Sequence, residues 1–154
     1  MNAEDAWLKL WAENGIPIHL FRLAGIYGPS RNAIENVRQG RAHRIVKTGQ
    51  VFNRIHVDDI AQIITKSMSS PNPGSAYNLC DDEPAAPQDV INYACKLLKV
   101  EPPPEIPYEN ANLSEMARSF YRDNKRVANT RLKQELGVSL SWPTYREGLE
   151  SLLR

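Results

Sequence analysis

The segment that most constrains the fold is residues 16–23, whose sequence IPIHLFRL is apolar at most positions. Dense apolar content predicts a strand that is buried on both faces, which is typical of a parallel sheet. Residues 76–79 predict a second short strand, and residues 87–99 predict a helix with an apolar inward face. Strands that alternate with helices in this way indicate an α/β fold.

Helical patterns surround these strands. Trp7, Leu10 and Trp11 recur at helical spacing before a stop at Asn14-Gly15, and we expect this stripe to pack in the core. The remaining expected elements are a polar helix over 31–40, extended segments at 44–46 and 51–56, a helix that begins at Asp58 or Asp59, and helices near 113–120, 128–136 and 144–153. The sequence therefore predicts an α/β part over residues 1–100 and a small α-rich lobe over 101–154.

Composition excludes several function classes. The 19 basic and 18 acidic residues give a net charge of +1, so nucleic acid or an anionic membrane is not expected as a partner. The amino terminus has no basic leader, and no apolar run approaches the ~18 residues of a membrane span, which favours a cytoplasmic protein. Cys80 and Cys95 lack a metal-type spacing and are expected to be buried thiols, so no metal site is predicted.

Four groups of short motifs occur in a fixed order along the chain. They are Phe21-Arg22-Leu23-Ala24-Gly25-Ile26-Tyr27-Gly28-Pro29, then Arg54-Ile55-His56-Val57-Asp58-Asp59-Ile60-Ala61, then Tyr77-Asn78-Leu79 with Asp81-Asp82-Glu83-Pro84, and last Lys125-Arg126-Val127 with Trp142-Pro143-Thr144-Tyr145-Arg146-Glu147-Gly148-Leu149. Together they resemble the carboxy-terminal part of an NAD-dependent epimerase/dehydratase-like protein of the extended or atypical short-chain dehydrogenase/reductase superfamily. The resemblance implies the edge portion of a doubly wound, Rossmann-type parallel sheet with a small substrate lobe.

Two devices of that superfamily are missing from the chain. A dinucleotide site needs a glycine-rich turn, but the nearest candidate, Gly25-x-x-Gly28, has Arg31 where a third glycine is required. Tyr121 and Lys125 have the Tyr-x-x-x-Lys spacing, but they follow the substrate-side motifs, whereas the catalytic pair of the superfamily precedes them. We therefore expect no catalytic residue in this chain, a truncated family fold with that pair upstream of Met1, and no binding of NAD or NADP by the chain alone.

The resemblance places Leu23, Ala24, Gly25 and Ile26 beside the nicotinamide of NAD or NADP in a complete family fold. Plain core packing is an equal interpretation for Leu23 and Ile26. Tyr27 is a candidate to present its hydroxyl to a substrate, although the Tyr-Gly-Pro sequence is also explained as a tight turn.

A local basic patch covers residues 31–54. It contains Arg31, Arg38, Arg41, Arg44, Lys47 and Arg54 with one acid, Glu35. Guanidinium groups bind phosphates through two parallel hydrogen bonds, so one interpretation is recognition of a phosphate-bearing substrate such as a nucleotide sugar. The other interpretation is a solvated loop. Two positions depart from nucleotide-sugar enzymes, since Gly25 and Phe52 stand where those enzymes often have asparagine and arginine.

The candidate substrate-binding residues are Tyr27, Arg31, Asn32, Arg54 and His56. His56 either titrates near neutral pH or serves as a structural hydrogen-bonding group, and Asp58 is expected to cap a helix. The sequence thus predicts the substrate-side portion of an NAD(P)-dependent oxidoreductase or epimerase.

The alternative is a noncatalytic binding or assembly module that forms a homo-oligomer, or binds a complementary chain, through an exposed sheet edge. Self-association is expected on the first interpretation as well, because the missing half would leave strand 17–23 unpaired and Trp7 and Trp11 exposed.

Overall fold

The structure is a computed structural model that describes residues 3–153. Its helices are α1 (Ala3–Asn14), α2 (Ala33–Arg38), α3 (Val57–Ser69), α4 (Pro87–Leu98), α5 (Glu115–Phe120), α6 (Thr130–Leu136) and α7 (Tyr145–Ser151), with one 3₁₀ turn over Tyr108–Asn110. Its strands are β1 (Leu20–Leu23), β2 (Gly25–Tyr27), β3 (Arg44–Val46), β4 (Arg54–His56), β5 (Ala76–Leu79) and β6 (Glu105–Pro107). The predicted α/β class is confirmed.

The strands form three parallel pairs. β1 pairs with β5, with Leu20 opposite Ala76, while β2 pairs with β4 and β3 pairs with β6. Parallel pairing of strands far apart in sequence requires crossover connections, which the intervening helices supply. β2 follows β1 after a single residue, Ala24, whose N–H donates to the Leu79 carbonyl. The chain therefore moves from one pair to the next at this point.

The structure corrects the expectation for residues 16–23. The strand begins only at Leu20, and the side chain of Leu23 is 50% exposed rather than buried on both faces. Within residues 3–153, β1 pairs only with β5, so its other edge has no neighbouring strand. The apolar sequence predicted the parallel pairing of β1 correctly. Residues 3–153 do not cover both faces of this strand, since Leu23 is exposed.

The expected core stripe of α1 is also wrong. This helix buries no residue, and Trp7 is 54% exposed. Trp11 packs on the backbone of Gly74, where a Cβ atom would lie 2.5 Å from the indole ring, yet Trp11 is itself partly exposed. With Trp7 and Trp11 both exposed, α1 presents an apolar face to solvent.

Three apolar clusters hold the rest together. The first joins Ile55, Ile63, Tyr77, Leu79, Leu132, Leu136 and Val138; the second joins Ile34, Ala85, Val90, Ala94, Tyr145 and Leu149; the third joins Ile45, Ala111 and Tyr121. Every cluster combines side chains from before and after residue 100. Residues after 100 therefore complete the core of residues 3–100. The division into two parts at residue 100 stays a prediction.

The start of α3 differs from the expected cap. His56 is the N-cap, and its Nδ1 accepts the Asp58 N–H at 3.2 Å, so the prediction that Asp58 caps the helix is wrong. Asp59 is fully buried and accepts the backbone N–H groups of Ser141 (2.7 Å) and Trp142 (3.2 Å). The second aspartate of the Asp58-Asp59 pair thus fixes the loop that leads to α7.

Two further findings concern residues 3–153 as a whole. No helix among them is both long and apolar enough to cross a bilayer, and no three metal-binding side chains of the His, Cys, Asp and Glu type come together in this range. Cys80 and Cys95 are free and buried, as expected.

Candidate functional site

A cleft of about 400 Å³ opens where β2 and β4 meet the starts of α2 and α4. Its walls are Ile26, Tyr27, Arg31, Asn32, Ala33, Asn36, Arg41, Ala42, His43, Arg54, Pro87, Val90, Ile91, Tyr145 and Leu149. Its wall combines apolar side chains, several of them from α4 and α7, with arginine, asparagine and histidine side chains. A concave site with an apolar wall and a few polar groups is the usual form of a small-molecule site.

The cleft brings together some of the predicted site residues and leaves out others. Ile26, Tyr27, Arg31, Asn32 and Arg54 line it. The other predicted residues, Leu23, Ala24, Gly25 and His56, are not among its walls. Most of the substrate candidates therefore line the cleft, whereas most of the cofactor candidates do not.

Three guanidinium groups belong to the cleft, those of Arg31, Arg41 and Arg54. The Arg54 side chain is anchored, because its Nη1 donates to the carbonyls of Phe52 (2.9 Å) and Ala85 (3.1 Å). Those two residues also form a β-bridge with each other. No carboxylate is among the described wall residues, so the cleft combines three cations with no lining anion.

The other cations of the basic patch have partners elsewhere. Arg38 pairs with Glu35 at 2.7 Å, and Arg44 pairs with Glu105 at 2.5 Å. Lys47 donates to the carbonyl of Tyr121 and lies over the ring of Tyr108. The patch thus divides into internally paired residues and the arginines of the cleft. The sequence showed the patch, but only the fold shows this division.

Asn32 has a complete structural role. Its Oδ1 accepts the Glu35 N–H at 2.9 Å and caps α2, while its Nδ2 donates to the Gly28 carbonyl at 2.9 Å. An N-cap of this type stabilises a helix by about 1 kcal/mol. The side chain of Asn32 therefore shapes the cleft wall by holding the Tyr-Gly-Pro turn against the first turn of α2.

The Tyr27 hydroxyl lies in the interior, against α7. It is buried and has no hydrogen-bond partner among the described residues, and it lies so close to Gly148 of α7 that a Cβ atom there would be 2.0 Å away. Burial raises the pKa of Tyr27, with the Asp81 charge as a second cause, so the phenol stays neutral. The ring forms part of the cleft wall and the hydroxyl packs behind it.

His56 lies beneath the cleft as a structural group. Its ring contacts Tyr27 and Trp142 at centroid distances of 5.1 and 5.5 Å. Desolvation by burial lowers the pKa of His56, outweighing the nearby carboxylates, and Nδ1 serves as the helix cap acceptor. The structural interpretation of this histidine fits the geometry, since a neutral ring is required for the cap.

The four expected nicotinamide neighbours form a ridge at the end of β1. Leu23 and Ile26 are exposed, and the Gly25 N–H donates to the Asn53 carbonyl at 3.1 Å. A Cβ on Gly25 would lie 3.2 Å from the same carbonyl, and one on Gly28 would lie 2.6 Å from Val57 Cγ1. These glycines thus serve packing within the chain. The space above Gly28 is filled by Val57, so this turn does not fit a pyrophosphate group.

Tyr121 and Lys125 do not form a catalytic pair. Tyr121 is buried in the third cluster, and burial raises the pKa of its hydroxyl. Lys125 pairs with Asp123 at 2.8 Å on the surface. A catalytic tyrosine of this type needs a lowered pKa from a neighbouring ammonium, which is the opposite of what the structure provides.

Asp81 is a buried group that sequence reasoning did not single out. It follows β5, is 2% exposed, and its backbone N–H donates to the Arg54 carbonyl at 2.7 Å. Its Oδ1 accepts the Glu83 N–H at 3.3 Å, whereas Oδ2 is buried without a partner among the described residues. Desolvation raises the pKa of Asp81 to about 7. The sequence shows a run of three acids after a strand, Asp81-Asp82-Glu83, which does not indicate which acid is buried.

The sequence is similar to part of a longer curated protein. No protein-family model matches the chain. The protein YeeZ of Escherichia coli strain K12 is 29% identical over 143 residues, which cover 88% of this chain and 46% of YeeZ. The chain thus spans about half the length of the curated relatives it matches.

Solved structures confirm the resemblance at the level of the fold. A functionally unknown conserved protein from Silicibacter pomeroyi is 53% identical, with a TM-score of 0.88 over 97% of this chain and 51% of that protein. A dTDP-glucose 4,6-dehydratase from Bacillus anthracis in complex with NAD has a TM-score of 0.75 at 16% identity, over 97% of this chain and 48% of the enzyme. A UDP-glucose 4-epimerase from Thermotoga maritima with UDP-glucose has a TM-score of 0.74 at 18% identity, over 96% and 48%. The chain has the fold of about half of such an epimerase or dehydratase.

Proposed function

We propose that this chain is the substrate-side portion of an NAD(P)-dependent oxidoreductase or epimerase that acts on a sugar, a nucleotide sugar or a related small molecule. The observation that carries this proposal is the cleft, whose wall contains Arg31, Arg41 and Arg54 together with apolar side chains. Guanidinium groups recognise phosphate oxygens, and an apolar wall accommodates the faces of a base or sugar ring. The fold shared with two sugar-nucleotide enzymes supports the same substrate class.

In this proposal NAD or NADP binds only the complete family fold, to which this chain contributes one part. Within the ridge of Leu23, Ala24, Gly25 and Ile26, the first and last residues offer exposed apolar side chains that suit the face of a nicotinamide ring. The described residues offer no cradle for the pyrophosphate, because Val57 fills the space above Gly28. NAD or NADP supplies hydride transfer when it is bound, and the residues of this chain would contribute one wall of the nicotinamide site and the substrate cleft.

Binding of UDP-glucose tests the substrate part of the proposal. Titration of the chain with UDP-glucose is expected to show binding, and the double variant Arg31→Ala/Arg41→Ala is expected to lose at least about tenfold in affinity because each guanidinium makes charge-assisted hydrogen bonds. Both side chains are exposed, so the variant should keep its fold. Isothermal titration calorimetry measures the affinity, and circular dichroism checks the fold.

Arg38→Ala is the matched control. Arg38 belongs to the same basic segment, but it pairs with Glu35 and is not part of the cleft wall. Its loss should leave the affinity for UDP-glucose within about twofold, because a long-range charge outside the cleft is screened by salt. An equal loss in Arg38→Ala would instead indicate a general basic surface, and the assigned cleft would be wrong.

A second candidate function is a noncatalytic module that assembles through its exposed sheet edge, forming a homo-oligomer or binding a complementary chain. The supporting observations are the open edge of β1 and the exposed Trp7, Trp11 and Leu23 beside it. Unpaired strand edges and exposed apolar patches are the usual sites of pairing with another chain. Both candidate functions share this surface and differ in whether the cleft binds a ligand.

Complementation separates the two candidates. We expect the 154-residue chain alone to self-associate and to bind neither NAD nor NADP, and we expect cofactor binding to appear when a separately produced dinucleotide-binding half is added. Light scattering measures the association, and calorimetric titration measures binding. Cofactor binding by the chain alone would contradict the proposal that a separate half binds the dinucleotide. Self-association without any ligand binding would favour the assembly module.

A further inference from the structure

Arg54 lines the cleft, and the buried Asp81 is hydrogen-bonded to its backbone. They lie on neighbouring segments, because the Asp81 N–H donates to the Arg54 carbonyl at 2.7 Å. Their side chains attract each other, and within residues 3–153 no contact ion pair joins them. Arg54 faces the cleft, whereas Asp81 is not part of its wall.

The Asp81 carboxylate is poorly satisfied in its ionised form. A carboxylate accepts several hydrogen bonds, but Oδ1 receives only the Glu83 N–H and Oδ2 is buried without a partner among the described residues. Burial of an ionised carboxyl with so few donors is costly, so the group takes up a proton readily. The hydrogen bond from the Glu83 N–H and, after it, the attraction of Arg54 favour the ionised form.

An anion bound at Arg54 weakens the attraction that Arg54 exerts on Asp81. When a phosphate oxygen binds the guanidinium, the positive potential at Asp81 is partly neutralised and a like charge is added nearby. We propose that Asp81 balances the charge of the cleft, so that binding of an anionic ligand at Arg54 is accompanied by uptake of one solvent proton on the Asp81 carboxylate. This inference rests on the proposed function, because it concerns the same cleft.

The surrounding groups set the direction of the effect. Those that act on Asp81, Arg54 or Tyr27 are Asp59 on α3, Asp82 and Glu83 on the loop after β5, Asp89 on α4, and Tyr145 and Glu147 on α7. Asp82 is itself held by Lys133 at 2.6 Å. Most of these groups are acidic, and Arg54 is the cation that acts directly on Asp81, so weakening its influence favours the protonated carboxyl. Ligand affinity should therefore fall as pH rises and Asp81 ionises in the free protein.

His43 must be removed from the measurement. It lines the cleft, and a histidine that gains a proton near an anion produces a pH dependence of the same sign. The variant His43→Gln is therefore the background for every sample. UDP-glucose is a suitable probe, because its diphosphate diester lacks the monoester ionisation at about pH 6 and keeps its charge over the range studied.

Calorimetric titration of His43→Gln with UDP-glucose is performed at about pH 5.5 and about pH 8, since the usual window of histidine and raised carboxyl pKa values lies between them. At about pH 7, buffers with different ionisation enthalpies report the number of protons taken up. We expect up to about tenfold weaker binding at the higher pH, which corresponds to one pKa unit, and net uptake of a fraction of a proton. Adding Asp81→Asn should abolish both effects, while Asp82→Asn should keep them.

The outcomes separate the two proposals. Absence of UDP-glucose binding at every pH overturns the proposed function and this inference with it. Binding with no proton uptake, or proton uptake that persists in Asp81→Asn, overturns the inference and leaves the cleft assignment in place. Proton uptake is measured on His43→Gln with Asp81 intact. If Asp81→Asn does not fold, absence of uptake in His43→Gln still overturns the inference.

Discussion

Replacing Asp59 by alanine should lower the free energy of unfolding by about 3–5 kcal/mol, because two hydrogen bonds to a buried carboxylate are lost and each contributes about 1.5–3 kcal/mol. Asp59 is fully buried and accepts hydrogen bonds from the backbone N–H groups of Ser141 and Trp142. Alanine leaves both backbone donors without their acceptor and removes the buried carboxylate that holds them. The loop before α7 then loses its attachment to α3, and urea unfolding monitored by tryptophan fluorescence measures the loss.

The neighbouring residue provides a matched control. Asp58 is exposed in the first turn of the same helix, and only its interaction with the helix dipole and the His56 ring is lost in Asp58→Ala. That change should cost about 0.5 kcal/mol. Asp59→Asn keeps one acceptor oxygen and should fall between the two. Similar losses in Asp58→Ala and Asp59→Ala would show that Asp59 does not hold the loop.

The Asp58-Asp59 pair shows what sequence alone predicts and where it stops. The pattern placed a helix start correctly at this point, since acidic residues are favoured in a first helical turn. It assigned the cap to Asp58, whereas the structure uses His56. The buried role of Asp59 depends on residues more than 80 positions later, and no local pattern reports such a contact.

The elements of the fold were more predictable than the surroundings of their side chains. Residues 16–23 predicted a strand in a parallel pair, because apolar density reports a preference for burial. The same density could not show that Leu23 lacks a covering layer among residues 3–153, because burial depends on what other segments supply. Trp7 and Trp11 illustrate the same limit, since helical spacing defines a face and the tertiary structure decides whether that face is covered.

The sequence predicted several residues of the candidate cleft but not how the fold groups them. Arg31 and Arg54 belonged to a basic segment visible in the sequence, and the cleft contains both. Separation of the cleft arginines from Arg38 and Arg44 required knowledge of the partners Glu35 and Glu105, the second of which lies in a distant strand. Asp81 was missed because its importance comes from burial and from its contact with the Arg54 backbone.

Gly148→Ala should destabilise the protein by about 3 kcal/mol, the upper part of the usual range for overpacking a core. Gly148 is buried in α7, and an added Cβ would lie 2.0 Å from the Tyr27 hydroxyl and 2.7 Å from the ring carbon that carries it. Alanine favours a helix over glycine by about 1 kcal/mol, so the intrinsic preference acts in the opposite direction. The steric term should dominate, because the contact is far shorter than any normal one and the Tyr27 ring must leave its packing against His56 to relieve it.

A double-mutant cycle with Tyr27 identifies the cause. Tyr27→Phe removes a buried hydroxyl that has no partner among the described residues, so this change alone should alter stability by less than about 1 kcal/mol. Tyr27→Leu removes the outer ring atoms, and in that background Gly148→Ala should cost at least about 2 kcal/mol less than in the parent chain, which is the coupling expected of residues in direct contact. Chemical denaturation of the four proteins gives the coupling energy. If the two changes are simply additive, α7 does not close over Tyr27 at this glycine, and the assignment of the Tyr27 hydroxyl to the interior behind the cleft loses its support.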